Sequence, residues 1–200
     1  MAFLRSVSVP ESGPVVYGDG IYLRTPQMQD YGPWAELRAR SRDFLVPWEP
    51  TWTASELTKL SFRRRLKHYA RDLRDDMGYA FFMFRNEDDA LLGGLTLSNV
   101  RRGVTQACTL GYWMGAPHAR KGYMAAGVRA VIPFVFDTLR LHRLEAACLP
   151  NNEASRRLLE KVGFTYEGLA RRYLKINGRW QDHLLYALLE DDVQPVRTAR

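Results

Sequence analysis

Two short stretches carry residue types that could do chemistry. In the first, Leu149-Pro150-Asn151-Asn152-Glu153-Ala154-Ser155, a strand-ending Pro-Asn-Asn leads at once into a short helix closed by Gly163-Phe164. Asn152 and Ser155 at such an entrance can hold one ligand between them, and a serine hydroxyl can give a proton to a leaving group. The same spacing also suits an ordinary helix N-cap followed by a first-turn serine. The second stretch, Leu110 to Val128, runs from a strand through Ala119-Arg120-Lys121-Gly122-Tyr123-Met124 into a helix. Unpaired backbone N–H groups at a helix start favour a phosphate, Gly122 allows close approach, and Arg120 and Lys121 add charge. By spacing alone, this loop is either an anion site or a plain turn.

Elements that could position these residues follow from periodicity. Ile21 to Thr25 reads as a first strand, and Pro26 breaks into a helix over Met28 to Arg42 with Trp34 and Leu37 on its apolar side. Two prolines keep the aromatic stretch Phe44 to Trp52 irregular. Thr53-Ala54-Ser55-Glu56 has capping-box spacing and predicts the start of a helix of about five turns. Tyr79 to Arg85, Leu91 to Asn99 and Thr105 to Met114 form an antiparallel meander, with a bulge at Gly93-Gly94. A helix follows from Tyr123 to Leu139, kinked at Pro133, then a strand over Arg143 to Leu149. After the helix Asn152 to Val162, strands Ala170 to Ile176 and Trp180 to Leu188 flank Asn177-Gly178, a strong hairpin signal. Helices, a meander and a strand entering by a crossover indicate a mixed α/β sheet.

Composition narrows the class. With 46% hydrophobic and 26% charged residues in 200, the chain suits one globular domain. Residues 1–20 read as an N-terminal extension, 21–189 as the domain and 190–200 as a polar tail. Cys108 and Cys148 lie in apolar runs without metal-ligand spacing and read as buried thiols. The N-terminus lacks an apolar signal region and no run is long enough to span a bilayer, so a cytoplasmic protein without membrane contact is expected. The net charge of +7 is dispersed, in Arg63-Arg64-Arg65, Arg101-Arg102 and Arg171-Arg172 among others. It leaves a solvated surface or weak RNA contact open.

Taken together, Leu149 to Phe164 and Leu110 to Val128 resemble the Gcn5-related N-acetyltransferases (GNAT), in the RimJ/RimL-like branch that acetylates N-terminal residues of ribosomal proteins. The resemblance runs from Ile21 to Leu189. It implies a mostly antiparallel twisted sheet, flanked by helices, whose central parallel pair splays at the cofactor site. It implies acetyl-coenzyme A as acetyl donor, direct transfer and no metal. Ala119 to Met124 look like the loop that cradles the pyrophosphate, although Ala119 and Arg120 stand where the common motif has Gln or Arg and Gly. Trp113, Met114 and Gly115 look like the strand end whose backbone meets the pantetheine arm. Asn152 and Ser155 match the cofactor contact and the hydroxyl beside the sulfur. Wider relatives carry a Tyr acid and a Glu base where this chain has Leu159 and Ala147, so those roles do not transfer. Ser155 remains as the acid, and Glu145 is either a base or a salt-bridge residue. His118, Asp182 and His183 are further candidates, and Trp48 and Trp52 are expected beside the acceptor.

An absent base points to an acceptor that needs little help. An α-amine with a pKa of about 7.7 to 8.0 is roughly a tenth neutral at pH 7, whereas lysine, near 10.4, is neutral well under one part in a thousand. A protein N-terminus, ribosomal by resemblance, is therefore the expected acceptor. A small amine such as an antibiotic, or a non-catalytic ribosome or RNA partner on the same fold, stands as the alternative. A monomer or homodimer is expected.

Overall fold

A computed structural model describes residues 13–193. Most of the expected N-terminal extension and the end of the expected tail lie outside the described residues. Eight strands, β1 (Val15–Gly18), β2 (Ile21–Arg24), β3 (Tyr79–Arg85), β4 (Leu91–Arg101), β5 (Ala107–Met114), β6 (Arg143–Cys148), β7 (Thr165–Ile176) and β8 (Arg179–Leu189), form one sheet in the order β1-β2-β3-β4-β5-β6-β8-β7. Every neighbouring pair is antiparallel except β5 and β6. A parallel pair cannot close through a tight turn, and the chain supplies the crossover as α4 (Tyr123–Pro133).

Helices cover both faces. On one, α4 and α5 (Glu153–Lys161) bury Val128, Val131 and Leu159 against Leu95, Leu110 and Leu144. Along β6 the two-residue alternation puts Leu144, Ala146 and Cys148 on that face. On the other face, α1 (Tyr31–Arg40), the short α2 (Arg42–Leu45) and α3 (Lys59–Arg74) follow one another, and Trp34, Leu37 and Phe62 pack on Phe82, Phe84 and Leu91. Full burial of a ring such as Phe62 contributes roughly 2 kcal/mol. No helix among the described residues is long and apolar enough to cross a membrane.

Besides the helix expected over Met28 to Arg42, which is divided into a 3₁₀ turn, α1 and α2, four features differ from the sequence reading, each for a local reason. The sheet begins at Val15, because β1 hairpins onto β2 through Asp19-Gly20 and so extends the domain into the expected extension. The long helix starts at Lys59 and not at Thr53: the Glu56 carboxylate accepts from Arg65 Nη2 at 2.7 Å, and Thr58 Oγ1 instead accepts the Ser61 N–H at 3.3 Å. After Pro133, which has no N–H to give, the helix widens into a π turn, Phe134–Thr138, with Leu139 N bonded to Phe134 O at 2.9 Å. β7 starts at Thr165, directly after α5. There Gly163, at φ +101°, ends the helix: its N–H bonds Glu160 O at 3.2 Å and the Phe164 N–H bonds Leu159 O at 2.9 Å. The sheet slips register by one residue opposite Gly93, between Met83 and Phe84. The unpaired residue is Leu92, so the bulge falls one place ahead of the glycine pair, both of whose members stay in register.

Candidate active site

The parallel pair separates part-way along its length. β5 and β6 are in register from Ala107 opposite Arg143 to Leu110 opposite Ala146, and no pairing continues beyond. β5 stays bound to β4 as far as Met114, and β6 to β8 as far as Cys148. A wedge therefore opens between Gly111–Met114 and Ala147–Cys148, where each strand keeps an unpaired edge. Backbone groups on such edges need partners, and an extended polar chain could supply them.

Beyond β5 the chain makes a 3₁₀ turn over Ala116–His118, and the loop to Gly122 brings it to the start of α4. Gly122 sits at φ +86°, a left-handed conformation that admits glycine without strain, and open space surrounds the position of a β carbon there. No side chain caps α4, and its first helical bond runs from Ala126 N to Gly122 O at 3.0 Å. The N–H groups ahead of Ala126 thus face outward with the positive end of the helix dipole. Arg120, itself at φ +62°, and Lys121 are exposed beside them. An open groove of about 960 Å³ starts at Lys121, Gly122 and Tyr123, follows α4 beside β1 and includes Lys161.

Across the wedge, Asn152 caps α5, its Oδ1 accepting the Ser155 N–H at 3.1 Å. Ser155 is buried, and its Oγ lies 2.5 Å from the Tyr112 hydroxyl. Tyr112 comes from β5 just past the last paired residue, so this bond spans the wedge from one wall to the other. Burial raises the Tyr112 phenol well above its ordinary pKa, with the Ser155 bond acting in the opposite direction. Burial likewise raises the Cys148 thiol at the end of β6.

On the opposite face, a cavity of about 360 Å³ is walled by Trp34, Arg38, Glu49, Trp52, Tyr69 and Trp113, among others. Arg38, 6% exposed, donates from Nη1 to Glu49 Oε1 at 2.8 Å and from Nη2 to Oε2 at 2.6 Å. Its guanidinium lies 4.4 Å from the Trp52 ring centre and 5.0 Å from that of Trp113. Trp52 Nε1 donates to Glu49 Oε2 at 2.7 Å. The tip of the β7–β8 hairpin rests on this loop, with Asn177 N donating to Glu49 O at 2.9 Å. Sequence reading placed Trp52 here but missed Arg38, Glu49 and Trp34, since a charge pair separated along the chain has no periodic signal. It also assigned Trp113 only a backbone role, whereas its ring walls the cavity.

Comparison with known proteins decides the family. A model described as the acetyltransferase (GNAT) domain matches residues 21–165. The chain belongs to the GNAT acetyltransferase family. The GNAT chain is 37% identical over 175 residues to a probable N-acetyltransferase, YjcK, of Bacillus subtilis, covering 88% of this chain and 97% of that one. It is 34% identical over 179 residues to the ribosomal protein uS5-alanine N-acetyltransferase of Escherichia coli, covering 90% and 92%. Among solved structures, Mycobacterium smegmatis RimJ in complex with CoA-disulfide superposes with a TM-score of 0.86 at 29% identity, covering 91% of this chain and 90% of that one. The protein is therefore an N-acetyltransferase of the RimJ/RimL-like branch, and its sheet with one splayed parallel pair is the GNAT fold.

Within the GNAT frame the sequence-derived candidates fall into two groups. Trp113, Met114 and Gly115, the loop Ala119 to Met124, and Asn152 with Ser155 all border the wedge or the start of α4. Glu145 does not: it sits opposite Thr109, where the strands are still paired, and its carboxylate accepts from Arg101 and from Arg143 Nε, the latter at 3.0 Å. His118 lies in the turn before the loop, and burial, helped by Arg85 and Lys121, lowers its pKa below the usual histidine value. Asp182 accepts the Arg172 N–H at 2.8 Å, and buried His183 is 3.0 Å from Gln181 O, so both serve the β7–β8 hairpin. Trp48 is half-buried and is not among the residues lining the aromatic cavity on the α1/α3 face. Among the described residues no cluster of three or more His, Cys, Asp or Glu side chains could hold a metal ion.

Proposed function

We propose that this enzyme transfers the acetyl group of acetyl-coenzyme A directly to the N-terminal α-amine of a protein, with a ribosomal protein as the substrate class. The observation that carries the reading is the wedge between β5 and β6, which has an uncapped helix start and a buried hydroxyl at one face and an aromatic cavity at the other. The chain's residues fit the donor. The N–H groups at Gly122, Tyr123 and Met124 would take pyrophosphate oxygens, with Ala119, Arg120 and Lys121 forming the approach. The β5 edge at Trp113, Met114 and Gly115 would pair with the amides of the pantetheine arm, and Asn152 would meet that arm from α5. Trp52, with the ring of Trp113, would border the acceptor, and Trp48 would lie further out along the same loop.

In the reaction the amine lone pair attacks the thioester carbonyl, a C–N bond forms and the C–S bond breaks. The proton lost by nitrogen ends on the departing sulfur, and Ser155 donates a hydrogen bond to that sulfur as its charge develops. Glu145 lies outside the wedge and is held by Arg101 and Arg143, and we assign it no proton transfer. This favours an acceptor that is already partly neutral, as an α-amine is at pH 7. The likeness to the uS5-alanine enzyme supports the same choice.

The test is a mass-spectrometric screen of acetyl-coenzyme A with peptides bearing the N-terminus of ribosomal protein uS5, with lysine-containing peptides and with small amines. Acetylation of the α-amine is expected. Efficient modification of internal lysines with free N-termini left untouched would overturn the acceptor. Ser155→Ala should lower kcat on the order of 10²-fold while acetyl-coenzyme A still binds. Full activity in that variant would remove Ser155 from the mechanism.

A further inference from the structure

We propose that Tyr112 is the positioning residue of this acetyl transfer, fixing the Ser155 hydroxyl so that its hydrogen points at the departing sulfur. The inference rests on the role given to Ser155 above, but it concerns a residue on the opposite wall of the wedge. A serine hydroxyl is a free rotor with three staggered side-chain positions, and left alone it would spend much of its time aimed elsewhere. Two contacts remove that freedom. Asn152 Oδ1 accepts the Ser155 N–H at 3.1 Å and so fixes the backbone that carries the hydroxyl. The Tyr112 hydroxyl meets Ser155 Oγ at 2.5 Å.

The direction of that bond follows from acidity. A phenol is a far better donor than an aliphatic alcohol, and burial keeps the Tyr112 proton in place at any working pH. Tyr112 therefore donates, Ser155 Oγ accepts, and the serine hydrogen must turn away from Tyr112. Accepting one hydrogen bond also strengthens the bond a hydroxyl gives, since linked hydrogen bonds polarise one another. The phenol gives up no proton in the cycle. Its place in the fold fits this role: Leu110 is the last β5 residue in register with β6, and Tyr112 is the next residue on the same strand face. The bond thus also ties the two walls where the sheet has ceased to do so.

Kinetics of Tyr112→Phe, Ser155→Ala and the double variant, with acetyl-coenzyme A and the same N-terminal peptide, test the proposal. Tyr112→Phe should lose about tenfold in kcat, with the KM of the peptide and the calorimetric Kd of acetyl-coenzyme A each within about twofold of the parent. In the Ser155→Ala background the same change should cost nothing further. If the two losses multiply, Tyr112 does not act through Ser155 and the proposal fails. It fails equally if Ser155→Ala is impaired while Tyr112→Phe keeps the parent kcat, an outcome that leaves the role of Ser155 intact. Full activity in Ser155→Ala would instead remove the reading beneath it. Should Tyr112→Phe lose fold, as judged by its melting curve, Tyr112→Met replaces the ring without a hydroxyl and the same three comparisons apply.

Discussion

On the α4/α5 face the site is made of backbone and of near neighbours in sequence, whereas on the α1/α3 face it is made of side chains brought together from four elements. The α4 start is defined by Gly122 and the free N–H groups behind it, and the α5 start by Asn152 and Ser155. The cavity opposite depends on Arg38 from α1, Glu49 and Trp52 from the loop, Tyr69 from α3 and Trp113 from β5. Backbone sites suit groups that many ligands share, such as phosphates and an amide-bearing arm. Side-chain sites can be changed singly, so under the function proposed above acceptor preference can vary on this face without disturbing the other.

Substitutions that strike one half should leave the other readable. The largest effect is expected from Glu49→Ala, which leaves the buried Arg38 guanidinium without its bidentate partner. A loss of about 3 kcal/mol is expected in urea unfolding, and the joint change of Arg38→Met with Glu49→Leu should recover much of it. Gly122→Val forces a β-branched residue into a left-handed conformation at the helix start, at a cost of roughly 1–2 kcal/mol. Calorimetry should find acetyl-coenzyme A bound at least tenfold more weakly, with peptide KM unchanged; equal weakening of both would break the division. Trp52→Phe removes the bond to Glu49 and weakens the stacking of Arg38, together about 1 kcal/mol. It should raise peptide KM several-fold and spare donor affinity.

The smallest effect concerns a residue belonging to neither half. Burial pushes the Cys108 thiol up to about 12, so at pH 8 it stays protonated in the folded chain. Unfolded, with a thiol pKa near 8.5, it ionises readily. Because the folded form resists losing this proton, ionisation of the unfolded chain erodes stability as pH rises above about 8.5. A thiol-titrating disulfide reagent at pH 8 should leave Cys108 unmodified until denaturant is added. Prompt reaction in the native protein would show that the core beneath α4 opens more easily than its packing implies.

The same division explains what could be read from the sequence. Gly122, Asn152 and Gly163 act through the conformation of their own backbone or a bond to a residue three or four places away, so their roles were visible in short windows. The hairpin at Asn177-Gly178 was legible for the same reason, and so was a break in the helix at Pro133, though not its widening into a π turn. Arg38 gave no such signal, because its partners become neighbours only once α1, the loop and β5 have packed. Capping-box spacing at Thr53 misled because Glu56 found Arg65, a stronger partner than a helix N–H. β1 was missed because four residues show too little alternation to declare a strand until β2 offers its edge.

The placement of β8 orders events in time. β6 forms one wall of the wedge, yet apart from its four-residue pairing with β5 it is held by β8, whose residues 179–189 are nearly the last of the domain to be made. The hairpin tip that rests on Glu49 arrives only just before. A chain growing from its N-terminus can therefore fold its meander and its first helices early, but it lacks a complete wedge and a closed aromatic cavity until β8 has emerged. The wedge is thus assembled from its first wall towards its second, and the last two strands of the sheet complete it.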